Sequence, residues 1–167
     1  MKYCLYSLLM LQLTACTPTA MSKASILNIQ DRMALKHLVD TFSNLADTKD
    51  VDRQVLLFTE NATVESYRGG TRTSKLTGRE EIGTAFRNFL DLFDTVYHLN
   101  GQQTVEIDGN SATGTAYCLV VLIDEQDDRT VKTTHGVTYR DHYLKQGGEW
   151  LIARRKSYFE WSSTEEL

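Results

Sequence analysis

Three stretches of alternating residues near the end of the chain, separated only by short polar turns, constrain the fold more than anything else in it. Ser111 to Ile123 runs without a breaker apart from Gly114, and Asp124 to Arg129 forms a polar hairpin tip. Val131 to Leu144 then sets Val131, Thr133, His135, Val137, Tyr139, Asp141 and Tyr143 on one side against Lys132, Thr134, Gly136, Thr138, Arg140 and His142 on the other. A Gly147-Gly148 turn leads to a third run, Trp150 to Phe159. A period of two residues sends successive side chains to opposite faces, so each run reads as a strand. Strands joined by short turns pair antiparallel. A shorter strand, Gln103 to Ile107, precedes them and stops at Asp108-Gly109-Asn110. A sheet of such length curls, and its apolar face needs a cover.

The first half of the chain supplies that cover. From Asn28 to Ala46 the residues Ile29, Met33, Ala34, Leu38, Thr41, Phe42 and Leu45 recur at helical spacing, with Asn28 and Asp31 as a partial capping signal and Asp47 where the face ends. Asp50 opens a second short helix, Val51 to Phe58, which Thr59-Glu60-Asn61 breaks. Thr63 to Tyr67 alternates like a half-buried strand and turns at Gly69-Gly70. Thr77-Gly78-Arg79-Glu80 fits a capping box. The helix it announces carries Ile82, Ala85, Phe86, Phe89, Leu90 and Phe93 as an apolar stripe, which reads as core rather than as a cofactor box. The fold class is therefore α+β: a cone-shaped, curved antiparallel sheet wrapped around N-terminal helices.

Composition narrows the function. The chain has 167 residues, room for one domain, with 41% hydrophobic and 24% charged residues. Its 18 Lys and Arg against 22 Asp and Glu give a net charge of −4 without a basic stripe, which argues against nucleic acid as a partner. The four histidines are scattered, no His/Asp/Glu cluster has ligand spacing, and no Gly-rich loop follows a strand. Neither a metal nor a nucleotide cofactor is expected.

Residues 1–15 differ from the rest. Lys2 precedes a largely apolar stretch, Tyr3 to Leu13, too short to span a bilayer but suited to a signal-peptide core. Leu13-Thr14-Ala15-Cys16 resembles a bacterial lipobox. The resemblance implies cleavage before Cys16, lipidation of its thiol, and a tether over 16–27 that holds an exported domain on a membrane. The competing reading starts translation at Met21 and leaves the protein cytoplasmic. Cys118, alone in an apolar strand, reads as a small hydrophobe.

One polar residue stands out between the last helix and the strands: His98, in Thr95-Val96-Tyr97-His98-Leu99-Asn100. Around it, Gly78-Arg79-Glu80-Glu81-Ile82, His98-x-Asn100, Asp108-Gly109-Asn110-Ser111-Ala112, Gly136-x-x-Tyr139-Arg140-Asp141 and Gly148-Glu149-Trp150-Leu151-Ile152-x-x-Arg155 follow in order. Together these phrases resemble the SnoaL-like branch of the nuclear transport factor 2-like (cystatin-like) superfamily over residues 28–160, leaving 161–167 as a C-terminal tail.

The resemblance implies a cone enclosing an apolar pocket, a small apolar ligand, and a homodimer formed through the sheet. In lyases of this branch a histidine matching His98 acts with an aspartate matching Asp47. An imidazole takes a proton from carbon beside a carbonyl and returns it to a leaving hydroxyl, while the carboxylate fixes its tautomer. The tyrosine of that pattern falls on Phe42, which has no hydroxyl, and the further polar partner falls near Val121 to Ile123. His135, Tyr117 and Tyr139 are the remaining candidates for polar groups at the pocket, while Tyr139, Asp141 and Arg155 are expected to hydrogen-bond within the sheet. Two functions follow: a cofactor-independent dehydratase or isomerase acting on a small apolar hydroxy-carbonyl compound, or a non-catalytic hydrophobic-ligand-binding or assembly domain on a membrane tether.

Overall fold

The computed structural model describes residues 22–167. The signal-peptide core, Cys16 and the alternative start at Met21 lie outside them. Three helices, α1 (Lys23–Asp47), α2 (Val51–Gln54) and α3 (Arg79–Leu90), accompany six strands. The strands are β1 (Phe58–Arg68), β2 (Thr71–Thr77), β3 (Thr95–Asp108), β4 (Ser111–Gln126), β5 (Arg129–Gln146) and β6 (Glu149–Glu166), in the sheet order β2-β1-β6-β5-β4-β3.

The meander β3 to β6 is antiparallel throughout, but β1 pairs with β6 in parallel. Sequence adjacency could not reveal that pairing, because almost a hundred residues separate the partners Phe58 and Ile152. The β4–β5 tip turns through Asp127 and Asp128, both with positive φ, which polar short-chain residues tolerate. Register shifts interrupt β3 between Asn100 and Gln103 and β5 against β6 at two places. Extra residues in one strand bend it, and these bulges give the sheet its curl.

Several boundaries differ from the sequence expectation. Helix α1 begins at Lys23, capped by Ser22, whose hydroxyl accepts from the Ser25 amide. Residues 23–27 of the expected tether are thus helical, since Lys-Ala-Ser-Ile-Leu contains no breaker. Its buried face is Leu35, Leu38, Val39, Phe42, Leu45 and Ala46, whereas Ile29 and Met33 are exposed. The expected stripe mixed two faces, because apolar residues occur on both. The capping box of α3 is not formed as expected either. Gly78, at φ +83°, is the cap residue, and Glu81 rather than Glu80 reaches back to the Thr77 amide. Phe58 and Thr59-Glu60-Asn61 belong to β1, and β6 continues through the expected tail to Glu166. His98 lies inside one continuous strand, β3, rather than before a separate short one.

Helix α1 lies on β3 and α3 lies near β1 and β2, so the concave face of the sheet closes around them. The core joins Leu35, Val39 and Phe42 of α1 to Val64 on β1, Val120 and Leu122 on β4, and Ile152 on β6. At its far end Asp31 accepts from Lys145 Nζ at 2.6 Å and from Trp150 Nε1 at 2.9 Å, tying α1 to the β5–β6 hairpin.

Candidate active site

The alternation of β3 turns Val96, His98 and Asn100 toward α1 and leaves Tyr97 and Leu99 exposed on the opposite face. His98 and Asn100 meet side chains one helical turn apart. His98 Nδ1 stands 2.7 Å from Asp47 Oδ1, and Asn100 Oδ1 accepts from Ser43 Oγ at 3.0 Å. Asn100 Nδ2 also donates to the Val39 carbonyl at 3.3 Å. The Asn100 contacts therefore set the depth at which β3 presents His98.

Asp47 is the last residue of α1. A carboxylate at the negative end of a helix dipole is unfavourable for the helix, so this placement is explained by its partner rather than by the helix. An ionised carboxylate only accepts, so Nδ1–H donates and Nε2 is left free to accept or deliver a proton. The His98 side chain is 8% exposed and that of Asp47 22%.

Beside the dyad is a cavity of about 320 Å³ between α1, α3 and the concave sheet face. Phe42, Ala85, Phe86, Phe89 and Leu90 form its apolar wall, with His98, His135, Tyr139 and Arg155 among its polar lining. The α3 stripe therefore serves partly as pocket wall rather than only as core. Phe42 packs edge-on against Phe58, Phe86 and Tyr139, at 5.9, 6.0 and 6.2 Å between centroids.

The sequence-based family match covers residues 28–156 with the SnoaL-like domain. The chain belongs to the SnoaL-like family. An uncharacterized protein of Mycobacterium tuberculosis, Rv2910c, is 27% identical over 143 residues, 84% of this chain and 92% of that protein. A crystal structure named as a candidate scytalone dehydratase, from Novosphingobium aromaticivorans, superposes with a TM-score of 0.72 at 18% identity, covering 83% of this chain and 90% of that one. A hexachlorocyclohexane dehydrochlorinase, LinA type 2, gives 0.71 at 13% identity, covering 84% and 93%. The cone is the nuclear transport factor 2-like, cystatin-like fold.

In this SnoaL-like chain, Arg155 has a second aspect beyond the expected sheet hydrogen bonds. Its Nε and Nη2 donate to Asp141 Oδ1 and Oδ2 at 2.9 and 2.7 Å, and Tyr143 donates to the same carboxylate at 2.8 Å. Burial disfavours the Arg155 charge, but Asp141 outweighs it and raises the guanidinium above its ordinary range. The guanidinium carbon is 4.2 Å from the centroids of both Phe42 and Tyr139, held between two rings. Nη1 is buried and has no partner among the described residues. Strict alternation from the buried Trp150 and Ile152 would face Arg155 outward; the register shift at Ala153, where Tyr143 pairs with Ile152 and His142 with Arg154, turns it into the core.

Tyr117 and Val121 do not line the pocket. On β4 the inward positions are Ala116, Cys118, Val120 and Leu122, and the intervening residues point to the other face, where Tyr117 is 53% exposed. One step of strand register separates Val120, which does line the cavity, from Val121. Tyr139 is in the pocket, and burial raises its phenol well above the ordinary value. Burial also pushes the Cys118 thiol up to about 12, in keeping with a packing role. His135 lines the cavity with Nδ1 2.6 Å from Ser162 Oγ. Burial, and then the charge of Arg68, lower its basicity.

Proposed function

We propose that this SnoaL-like protein is a cofactor-independent lyase or isomerase, best read as a dehydratase of a small, largely apolar hydroxy-carbonyl compound. The observation that carries the proposal is the 2.7 Å His98–Asp47 contact at the wall of an apolar pocket. His98 Nε2 removes the proton from carbon adjacent to the carbonyl, and the electron pair moves onto the carbonyl oxygen. Arg155 Nη1, buried and unpartnered, supplies the donor for that developing enolate. The enolate collapses to expel the β-hydroxyl, which takes the proton back from His98 Nε2–H, giving the unsaturated carbonyl compound and water. Return of the proton to a different carbon instead gives an isomer. Loss of water and loss of hydrogen chloride are both eliminations, so the names of these two structural relatives are in keeping with the reading.

The test is α-proton exchange in deuterated buffer and formation of the conjugated product, followed by absorbance, across β-hydroxy ketones of increasing ring size. Asp47→Asn leaves the ring in place but removes the fixed tautomer, and is expected to slow turnover by about 10²- to 10⁴-fold. His98→Ala is expected to abolish exchange. Bound ligand with no exchange or elimination in any of these substrates refutes the lyase reading and leaves the second one, hydrophobic-ligand binding without turnover. Phe42 supports that second reading, because it puts a bare ring where a hydroxyl donor is expected.

A further inference from the structure

The pocket is not symmetric in charge. Among the described residues, its lining contains two guanidiniums, Arg68 and Arg155, and no Asp or Glu. Arg155 is neutralised by Asp141. Arg68, at the end of β1, has no carboxylate within ion-pair distance among the described residues. Its guanidinium is nevertheless held in place. The carbon lies 4.3 Å over the Phe159 ring, and Nη1 donates to Ser162 Oγ at 3.5 Å.

Ser162 connects this cation to His135. The guanidinium is a donor only, so Ser162 Oγ accepts from it; the same oxygen stands 2.6 Å from His135 Nδ1, and in the tautomer that takes the Ser162 proton at Nδ1 the imidazole proton is on Nε2. That arrangement leaves His135 Nε2–H as a donor with no partner among the described residues. Phe159 also meets the His135 ring edge-on, at 5.4 Å between centroids. A positive, preorganised group and a neutral donor thus share one end of an otherwise apolar cavity. The register places them relative to the dyad: His98 pairs with Val120 and Val120 with His135, so the two histidines stand two strands apart, roughly 10 Å.

We propose that Arg68, His135 and Ser162 form a carboxylate-recognition subsite, so that the ligand is an apolar acid whose anionic group sits at the Arg68 end while its reacting carbon lies at His98. This rests on the pocket described above and adds the substrate's charge. A neutral ligand of the same shape leaves the Arg68 charge unanswered, and a cationic one is repelled.

The test uses two non-reacting probes of similar shape, 2-naphthoate and the neutral 2-naphthalenemethanol, titrated calorimetrically into the whole protein at neutral pH. The native protein is expected to bind the naphthoate about tenfold more tightly than the alcohol, a preference that shrinks as salt is added. Arg68→Gln removes that preference and leaves alcohol binding within about twofold, while Arg68→Lys retains part of it. Arg68 is exposed at a strand end, so both variants keep the fold. Equal binding of the two probes to the native protein, or an equal loss of both in Arg68→Gln, overturns the proposal. Neither readout depends on turnover, so a failure here is distinct from a failure of the lyase reading, which the His98 and Asp47 variants test.

Discussion

Removing one partner of the Arg155–Asp141 pair should destabilise the protein far more than removing both. Each side chain is 1% exposed, and the carboxylate accepts two guanidinium hydrogen bonds and one from Tyr143. Asp141→Leu strands a guanidinium between the Phe42 and Tyr139 rings with nothing to balance its charge. Arg155→Met strands a carboxylate with Tyr143 as its only remaining donor. Either change is expected to cost about 3–5 kcal/mol, the range for an uncompensated buried charge. The double variant leaves two apolar side chains in place of the pair and only the Tyr143 hydroxyl unsatisfied, a loss of about 1–3 kcal/mol. Guanidinium chloride unfolding, followed by the fluorescence of the two tryptophans, measures all three. In thermal melts the single variants should fall by about 6–20 °C, given about 2–4 °C per kcal/mol in a domain of this size. Single-variant losses below about 1 kcal/mol, or a double variant that equals their sum, would refute the coupling.

Asp31 offers a pH-dependent counterpart. Burial acts to raise its pKa, but the hydrogen bonds from Lys145 and Trp150 and the Lys145 charge outweigh it and hold the carboxyl below the ordinary aspartate value. Its contribution is therefore complete above the unfolded-state pKa and disappears as pH falls through the lower folded-state value. Asp31→Asn should lose about 1 kcal/mol at neutral pH, with the difference vanishing in strong acid; a difference that persists there contradicts the assignment. On the outer sheet face, Leu99, Leu119, Gly136 and Trp161 occupy one cross-strand row flanked by exposed Tyr97 and Tyr117. We propose that this apolar row pairs with a second copy, so that Trp161→Glu converts a dimer to a monomer in light scattering; a native monomer at micromolar concentration contradicts it. The lipobox reading predicts that Cys16 takes up labelled palmitate in a bacterial host and that Cys16→Ser does not, and a mature protein beginning at Met21 contradicts it.

The parts of the fold that were legible in the sequence are those governed by local periodicity. The late strands alternate because one face is buried, and the inward set His135, Val137, Tyr139, Asp141 and Tyr143 is the set that the alternation of β5 separates. What was not legible depends on contacts between distant segments. The parallel β1–β6 pairing is one example, and the burial phase of α1 is another, since Ile29 and Met33 are as apolar as Leu35 and Val39 but lie on the exposed side. Tyr117 and Val121 failed as pocket residues for a related reason. Within a strand, a residue that belongs to the pocket and one that does not differ by a single position, and nothing local marks the zero of the count.

Counting alone also could not separate the two roles of Arg155. An arginine on an inward face needs a counter-charge, and Asp141 on the neighbouring strand meets that need, so a structural role was the economical reading. The geometry adds a constraint that pairing does not remove. A bidentate contact through Nε and Nη2 fixes the plane of the guanidinium, the two aromatic rings fix it a second time, and Nη1 is left without an acceptor among the described residues. Leaving a buried charged donor unsatisfied is costly unless something occupies the adjoining space. Arg155 lines the pocket beside the His98–Asp47 dyad, so the donor that pairing leaves over is better explained by what enters the pocket than by the fold. Phe42 fits the same logic: a tyrosine there would offer a hydroxyl, whereas the phenyl ring offers a face that holds Arg155 in place. The role expected of a tyrosine donor can therefore pass to the guanidinium. Arg155→Met should abolish proton exchange even when paired with Asp141→Leu to restore stability, and exchange that survives in the double variant would show that Arg155 only holds the sheet together.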